Sequence, residues 1–214
     1  PFAIADGQRR PQYSTVPDPE TIGLNRLQLQ YKGHTTTLTL GRQRINLDDQ
    51  RWVGSVGWRQ DEQTFDAVRA EAKFGPVSLD GTYAISQRTI FGIDAGPRQS
   101  YDGAFIFAGA AVKAGPVNLK GFAYVLDYDE AIAFANSSKT FGGRASAAFP
   151  LSPKVKLNLV ASYARQWDNG RNPVNYAADF ANAEAGISIK ALTLTGGWEL
   201  LGSDAGAAGG AGRA

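Results

Sequence analysis

The chain of 214 residues has no cysteine, no methionine and a single histidine, His34. Without thiols there is no disulfide framework, no thiolate metal site and no cysteine nucleophile. One imidazole makes no histidine metal cluster. Long apolar runs are missing as well. The longest, Ala104 to Val112, is nine residues, whereas a membrane-spanning helix needs roughly 20. Charge of one sign is equally scarce: 22 Lys+Arg stand against 20 Asp+Glu, a net of +2, so neither a basic nucleic-acid arm nor a disordered acidic tail is indicated. The chain starts at Pro1 with no basic-then-apolar leader, and it is expected to be a mature or internal fragment.

What is abundant is glycine and aromatics, 25 Gly, 11 Phe, 8 Tyr and 4 Trp. Their order carries more than their number. From Arg26 to Lys32 polar and apolar residues alternate strictly, the period of a strand with two unlike faces. The same test predicts strands over 21–32, 35–45, 62–74, 77–87, 101–114, 117–128, 138–149, 154–167, 177–190 and 191–202. Most exceed the roughly five or six residues usual in soluble domains. Short turns join alternate pairs, at Gly33-His34, Gly75-Pro76, Gly115-Pro116, Pro150 to Pro153 and Lys190-Ala191. Long polar loops join the others, at 46–61, 88–100, 129–137 and 168–176. Unequal rims of this kind are what membrane barrels display. A repeat agrees: Ala72 to Gly81 matches Val112 to Gly121, both around a Gly-Pro turn, at an offset of 40 residues. Two long strands per repeat favour a meander over a propeller blade of four short ones.

The apolar parity holds Leu27, Leu29, Leu38, Leu40, Val68, Tyr83, Ile106, Leu157, Leu159, Ile187, Leu192 and Trp198, with no charge between the ends of each set. A Lys or Arg facing lipid at midplane costs about 2–4 kcal/mol, so that absence is informative. The other parity carries most of the charge and is expected to be wet. A soluble sandwich shares the alternation, but with shorter strands and bulkier core residues. Aromatics near predicted strand ends, including Tyr31, Tyr101, Tyr128, Phe141, Tyr163 and Trp167, suggest interfacial girdles. The expected fold is therefore all-β, an antiparallel meander transmembrane β-barrel of the outer-membrane porin type, with about ten strands present.

The stretch Gly41-Arg42-Gln43-Arg44-Ile45-Asn46-Leu47-Asp48-Asp49-Gln50-Arg51-Trp52-Val53-Gly54, then Gly57-Trp58-Arg59-Gln60 and Gln63-Thr64-Phe65-Asp66-Ala67-Val68-Arg69, resembles the alginate export family of Gram-negative outer-membrane barrels. Leu126-Asp127-Tyr128-Asp129, Ser138 to Arg144, Tyr163-Ala164-Arg165-Gln166 and Trp198 to Asp204 are similar to the same family. The resemblance implies a wide outer-membrane pore whose arginine-rich constriction attracts an anionic uronate polymer. It also implies further closing strands, so these ten are expected to be an incomplete barrel. The expected layout is an N-terminal segment 1–19, a barrel domain 20–202 and a flexible Gly/Ala tail 203–214.

Parity places Arg26, Arg69, Lys120, Arg144 and Lys156 inward with Glu71, Asp80, Glu184 and Glu199. Arg42 and Arg44 share the parity of Leu40, and a bulge at Gly41 is expected to turn both into the pore. Fixed cations in a narrow, partly dry passage select anions, and the arginine fork pairs a carboxylate with two bonds. The plainer reading is that these charges neutralise one another across strands. The acidic long-loop residues, Asp48 and Asp49 among them, lack the spacing of a calcium loop and read as solvated. His34 sits at a short turn with no Gly-x-Ser-x-Gly elbow, so no enzyme is expected. No cofactor, metal or nucleic acid is implied. The expected contacts are outer-membrane lipid, an anionic oligo- or polysaccharide, and periplasmic export partners. The competing function is a surface adhesion or structural barrel without transport.

Overall fold

The computed structural model describes residues 22–207. The predicted N-terminal segment 1–19, the first residue of the first predicted strand and the tail from 208 onward lie outside the described residues. Ten strands follow one another: β1 (Leu27–Lys32), β2 (Thr36–Gln43), β3 (Thr64–Phe74), β4 (Val77–Arg88), β5 (Ser100–Ala114), β6 (Val117–Tyr128), β7 (Ser138–Ser152), β8 (Val155–Asp168), β9 (Ala177–Ile189) and β10 (Leu192–Leu201). They form one antiparallel meander in sequence order. Among the described residues β1 pairs only with β2 and β10 only with β9, so the sheet is open. No α-helix occurs in the described residues; the long loops hold only two short 3-10 segments, Ile93–Arg98 and Ala131–Asn136.

Residues paired across an antiparallel ladder share a face. One row runs Leu29, Leu40, Val68, Tyr83, Ile106, Val125 across six strands. Leu29 is 75%, Leu40 54%, Tyr83 51% and Ile106 44% exposed. A sandwich would have buried such a row, and among the described residues no second layer covers it. The oily parity therefore faces out, as the alternation predicts, and the hydrocarbon of a bilayer is the solvent that suits it. At the long-loop end of this face Phe141 meets Trp167 edge-on at 6.0 Å, and the Arg165 guanidinium lies 5.5 Å from the Trp167 ring centre. Aromatics with a snorkelling cation fit an interfacial girdle. Tyr101 and Tyr128 do not belong to it. Their register puts both on the opposite face, where they pack at 5.8 Å.

That opposite face departs from expectation in one respect. It is wet only toward the short turns. Toward the long loops it holds a buried aromatic floor of Phe65, Phe105, Phe107, Phe122, Tyr124, Tyr128 and Phe180. Gly142 belongs to this floor because a Cβ there would fall against the Phe122 ring and the Ala164 methyl. The floor is dry because the β2–β3 loop lies on it, delivering Ile45, Leu47 and Val53, all buried. From this position the loop reaches Lys120 on β6, Arg144 on β7, Phe180 on β9 and Glu199 on β10. Strands lie about 4.8 Å apart, so in a flat sheet β3 and β10 would be separated by roughly 34 Å. One loop touches strands over that range only because the sheet curls around it.

Local differences have local causes. Pro150, expected in a turn, sits inside β7, opposite Lys156. Pairing between β6 and β7 ends at Val117–Ala147, so Pro150 has a strand on one side only and its missing N–H costs no bond. Of the segment 203–214, expected as a flexible tail, residues 203–207 are described. Asp204 accepts from the Ala177 N–H at 3.0 Å and the Gly206 N–H at 2.9 Å, and these bonds hold its carboxyl below the usual carboxylate range. Ala207 packs on Tyr176 and Ala178.

The face assignment is testable. Ile106→Arg, in the exposed row of β5, is expected to lower folding stability in lipid vesicles by about 2–4 kcal/mol in denaturant titrations. Ser78→Arg, on the inner face of the neighbouring strand and opposite Lys73, is expected to change it by less than about 1 kcal/mol. A larger loss for Ser78→Arg than for Ile106→Arg would mean the faces are reversed, and equal losses that lipid does not distinguish them.

Candidate functional site

The candidate site is the inner face where the sheet wraps the β2–β3 loop. One row of this face runs Lys73, Ser78, Ala111, Lys120, Arg144, Ser162, Asn182, Glu199 from β3 to β10. Lys120 and Arg144 are direct partners on adjacent strands. Two cations so placed repel unless an anion lies between them.

The loop supplies it. Its tip is a small closed turn, with Leu47 N–H donating to the Val53 carbonyl at 3.0 Å and Gln50 N–H to the Leu47 carbonyl at 2.8 Å. Ser55 N–H donates to Asn46 Oδ1 at 2.8 Å and Gln63 N–H to the Ser55 carbonyl at 2.8 Å, which ties the two limbs of the loop together. Asp48, Gln50 and Val56 have φ of 51°, 61° and 51°. For a β-branched residue such as Val56 that conformation is strained, and it persists only where the surroundings impose it. Leu47 and Val53 point into the aromatic floor, and Trp52 stands edge-on to Phe180 at 5.5 Å. The acidic tip then projects over the cations. Lys120 Nζ lies 3.0 Å from Asp48 Oδ1 and 3.5 Å from Asp80 Oδ1. Arg144 donates to Asp49 Oδ2 at 2.6 Å and to Ser162 Oγ at 3.3 Å. Tyr124 donates to the other Asp48 oxygen at 3.4 Å, and Arg51 pairs with Glu199.

The structure brings Lys120, Arg144, Asp80 and Glu199 together around this tip. Arg69 and Glu71 are close by, paired with each other at 2.9 Å on the inner face of β3. Beside the tip is a cavity of about 330 Å³, lined among others by Asp48, Arg69, Glu71, Lys73, Asp80 and Lys120. Arg69 Nε and Asp80 Oδ2 are buried there without a hydrogen-bond partner. Lys156 faces inward nearer the short turns, opposite Ser188, and with Lys73 and Lys113 it has no ion-pair partner among the described residues. Glu184 accepts from the Asn182 amide at 3.1 Å.

Three expected residues lie elsewhere. Arg26 precedes β1 and is exposed. Arg42 stays on the outer face, opposite Leu27 and Asp66, because the β1–β2 and β2–β3 ladders run through Gly41 without a register shift. Gly41 does adopt a positive φ of 110°, and a Cβ there would strike the Leu27 carbonyl, but the strain is absorbed without a bulge. Arg42 instead makes a two-pronged bond to Asp66, at 2.8 and 2.7 Å. Arg44 follows the end of β2 and donates to Glu62 at 2.8 Å, in a group with Asn25. Neither arginine joins the Lys120–Arg144 cluster.

From sequence Asp48 and Asp49 read as solvated loop residues, and neither Arg51 nor Tyr124 is singled out. The signal that finds them is the apolar spacing of Ile45, Leu47 and Val53 inside an otherwise polar loop, since a loop with apolar residues at such intervals packs against something.

A family model described as Alginate export matches residues 3–206. No curated protein sequence is matched. Among solved structures, OccK8 (OprE) of Pseudomonas aeruginosa is similar with a TM-score of 0.63 at 11% identity, covering 83% of this chain and 50% of that one. OpdQ of the same organism gives 0.62 at 17% identity over 81% and 48%. A BenF-like porin from Pseudomonas fluorescens Pf-5 gives 0.60 at 13% over 80% and 44%. The chain spans about half the length of these structures, and at such identities the likeness is one of fold.

If the loop is seated by its apolar residues, Leu47→Ala is expected to destabilise the protein by about 2–4 kcal/mol in chemical unfolding. In the folded fraction, trypsin is expected to cut the loop faster at Arg51. A loss below about 0.5 kcal/mol would show that the loop does not share the core.

Proposed function

Because the chain belongs to the alginate export family and is an outer-membrane β-barrel protein, we propose that it forms part of the wall of a channel that passes anionic oligo- or polysaccharide. The observation that carries this reading is the inner-face row of cations, Lys73, Lys120 and Arg144, set against an outer face that is apolar except toward the long-loop end, where Arg42, Asp66 and Arg165 lie. Nearer the short turns Lys113 and Lys156 add positive charge without partners among the described residues. In this reading the short-turn mouth, which faces the periplasm in barrels of this architecture, gathers polyanions. Lys120 and Arg144 then offer carboxylates a charged and a forked partner in a passage narrowed by the loop. Asp80, Glu71 and Glu199 limit the net charge, so that a passing anion binds without being trapped. The cavity beside the tip, with Arg69 Nε and Asp80 Oδ2 both unpartnered, supports a polar occupant with donors and acceptors. Periplasmic export partners would meet the same mouth.

The seated loop also favours a second reading, a structural barrel whose lumen is filled. Planar-bilayer recording of the intact protein separates the two. Under a tenfold KCl gradient, the channel reading expects a reversal potential of anion-selective sign. Lys120→Gln with Arg144→Gln is expected to reduce the anion-to-cation permeability ratio several-fold. Absence of conductance, or cation selectivity, would leave the structural reading in its place.

A further inference from the structure

Asp48 and Asp49 are consecutive residues, and they deliver their carboxylates to Lys120 and Arg144, which are partners across one pair of strands. We infer that this tip is a tethered, autoinhibitory anion: it fills a two-carboxylate binding site, and a ligand carrying closely spaced carboxylates displaces it. The inference rests on reading the inner face as an anion path and adds how that path is regulated and what it recognises.

The tip divides into a part that anchors and a part that can leave. Leu47 and Val53 are buried at its base and close on each other through the 3.0 Å backbone bond. Of the five residues between them, Trp52 packs on Phe180 with the base, and Asp48, Asp49, Gln50 and Arg51 are polar and exposed. Besides the Gln50 N–H bond to Leu47, the Arg51 N–H bond to the Asp49 carboxylate at 3.2 Å, the Tyr124 hydroxyl bond to Asp48 at 3.4 Å and the Arg51 guanidinium 5.2 Å from the Phe180 ring centre, what holds them is charge: Asp48 to Lys120, Asp49 to Arg144 and Arg51 to Glu199. The base is held by apolar burial, which a soluble anion does not compete for. The Asp49 and Arg51 side chains are 48% and 40% exposed, and ion pairs of that kind are weak and exchangeable; the Lys120–Asp48 pair is the more covered one, and for it the competing anion offers the same chemistry. Asp48 and Gln50 hold a left-handed backbone, so release of the tip also relieves strain.

A geometric consequence identifies the ligand class. Cross-strand partners place their side-chain origins about 5 Å apart. A single carboxylate bridges Lys120 and Arg144 poorly, whereas two carboxylates on neighbouring units of a chain match the pair as two successive aspartates do. The site therefore prefers multivalent carboxylates to monovalent ones at equal ionic strength. Lys73, on the same row and without an ion-pair partner among the described residues, extends the track toward the short turns.

The test uses a readout that does not require transport. Trypsin cleavage at Arg51 is followed in the intact protein in detergent, with tricarballylate or acetate added at matched ionic strength. Tricarballylate is expected to speed cleavage about tenfold, and acetate to leave it unchanged. Asp48→Asn with Asp49→Asn keeps the shape of the tip and is expected to be cut fast from the outset, with no further response to tricarballylate. Lys120→Gln with Arg144→Gln is expected to behave likewise. A wild-type rate indifferent to tricarballylate overturns the inference, as does an asparagine variant cut as slowly as the wild type. A protein that shows the release but no conductance would keep this inference and lose the channel.

Discussion

Hydrocarbon offers a polypeptide no hydrogen-bond partner, and that one constraint arranges everything else here. A strand that crosses it must pair both its edges with neighbours and present only apolar side chains outward. The meander β1 to β10 meets the first demand for its inner strands by joining each to the next, and the two-residue period meets the second. With one parity committed to lipid, every charge has to go to the other face or to the ends. Arg42 and Asp66 show the rule from its margin. They sit on the outer face close to the long-loop end, and there they satisfy each other with two short bonds.

Confined to the inner face, the charges meet an arrangement of the loop's making. The aromatic floor and the β2–β3 loop form a small core inside the curl, the only sizeable core cluster among the described residues apart from a minor one at Tyr176. Burial of Ile45, Leu47 and Val53 fixes where the acidic tip falls, and the tip in turn fixes the ion pairs. Apolar packing therefore positions electrostatics here. Lys120 and Arg144 are not bare, as a simple anion hole would have them, and apart from Asp80 on β4 beside Lys120 their anions come from the loop and not from other strands. They are held by a segment whose contacts with them are replaceable.

Most of the fold was legible because period two is a strong signal over strands this long. β3 to β9 begin and end within about three residues of the alternating stretches, and the outward rows are those that alternation assigns. What escaped was of a different physical kind. Gly41 looked like a bulge because glycine allows one, yet the ladder absorbs its positive φ and keeps its register. Pro150 looked like a turn because proline breaks ladders, yet it sits where β7 has already lost a neighbour. Asp48 and Asp49 looked solvated because their partners, Lys120 and Arg144, lie far along the chain, and no local pattern reports a contact between distant segments. Parity alone assigned Lys120 and Arg144 to the inside; their being partners across a strand pair, which gives the site its valence, required the register.

The bond from Arg51 to Glu199 joins positions 148 apart in the chain. Contacts of such separation contribute nothing until the intervening segments are in place, since closing so long a loop costs entropy that nothing yet repays. A strap laid early in synthesis thus acquires its last fastening only when β10 arrives and the sheet has bent toward it. The first long loop is in this way a gauge of assembly: it locks when the curvature is right, and a wall that has stalled before its tenth strand leaves the catch undone.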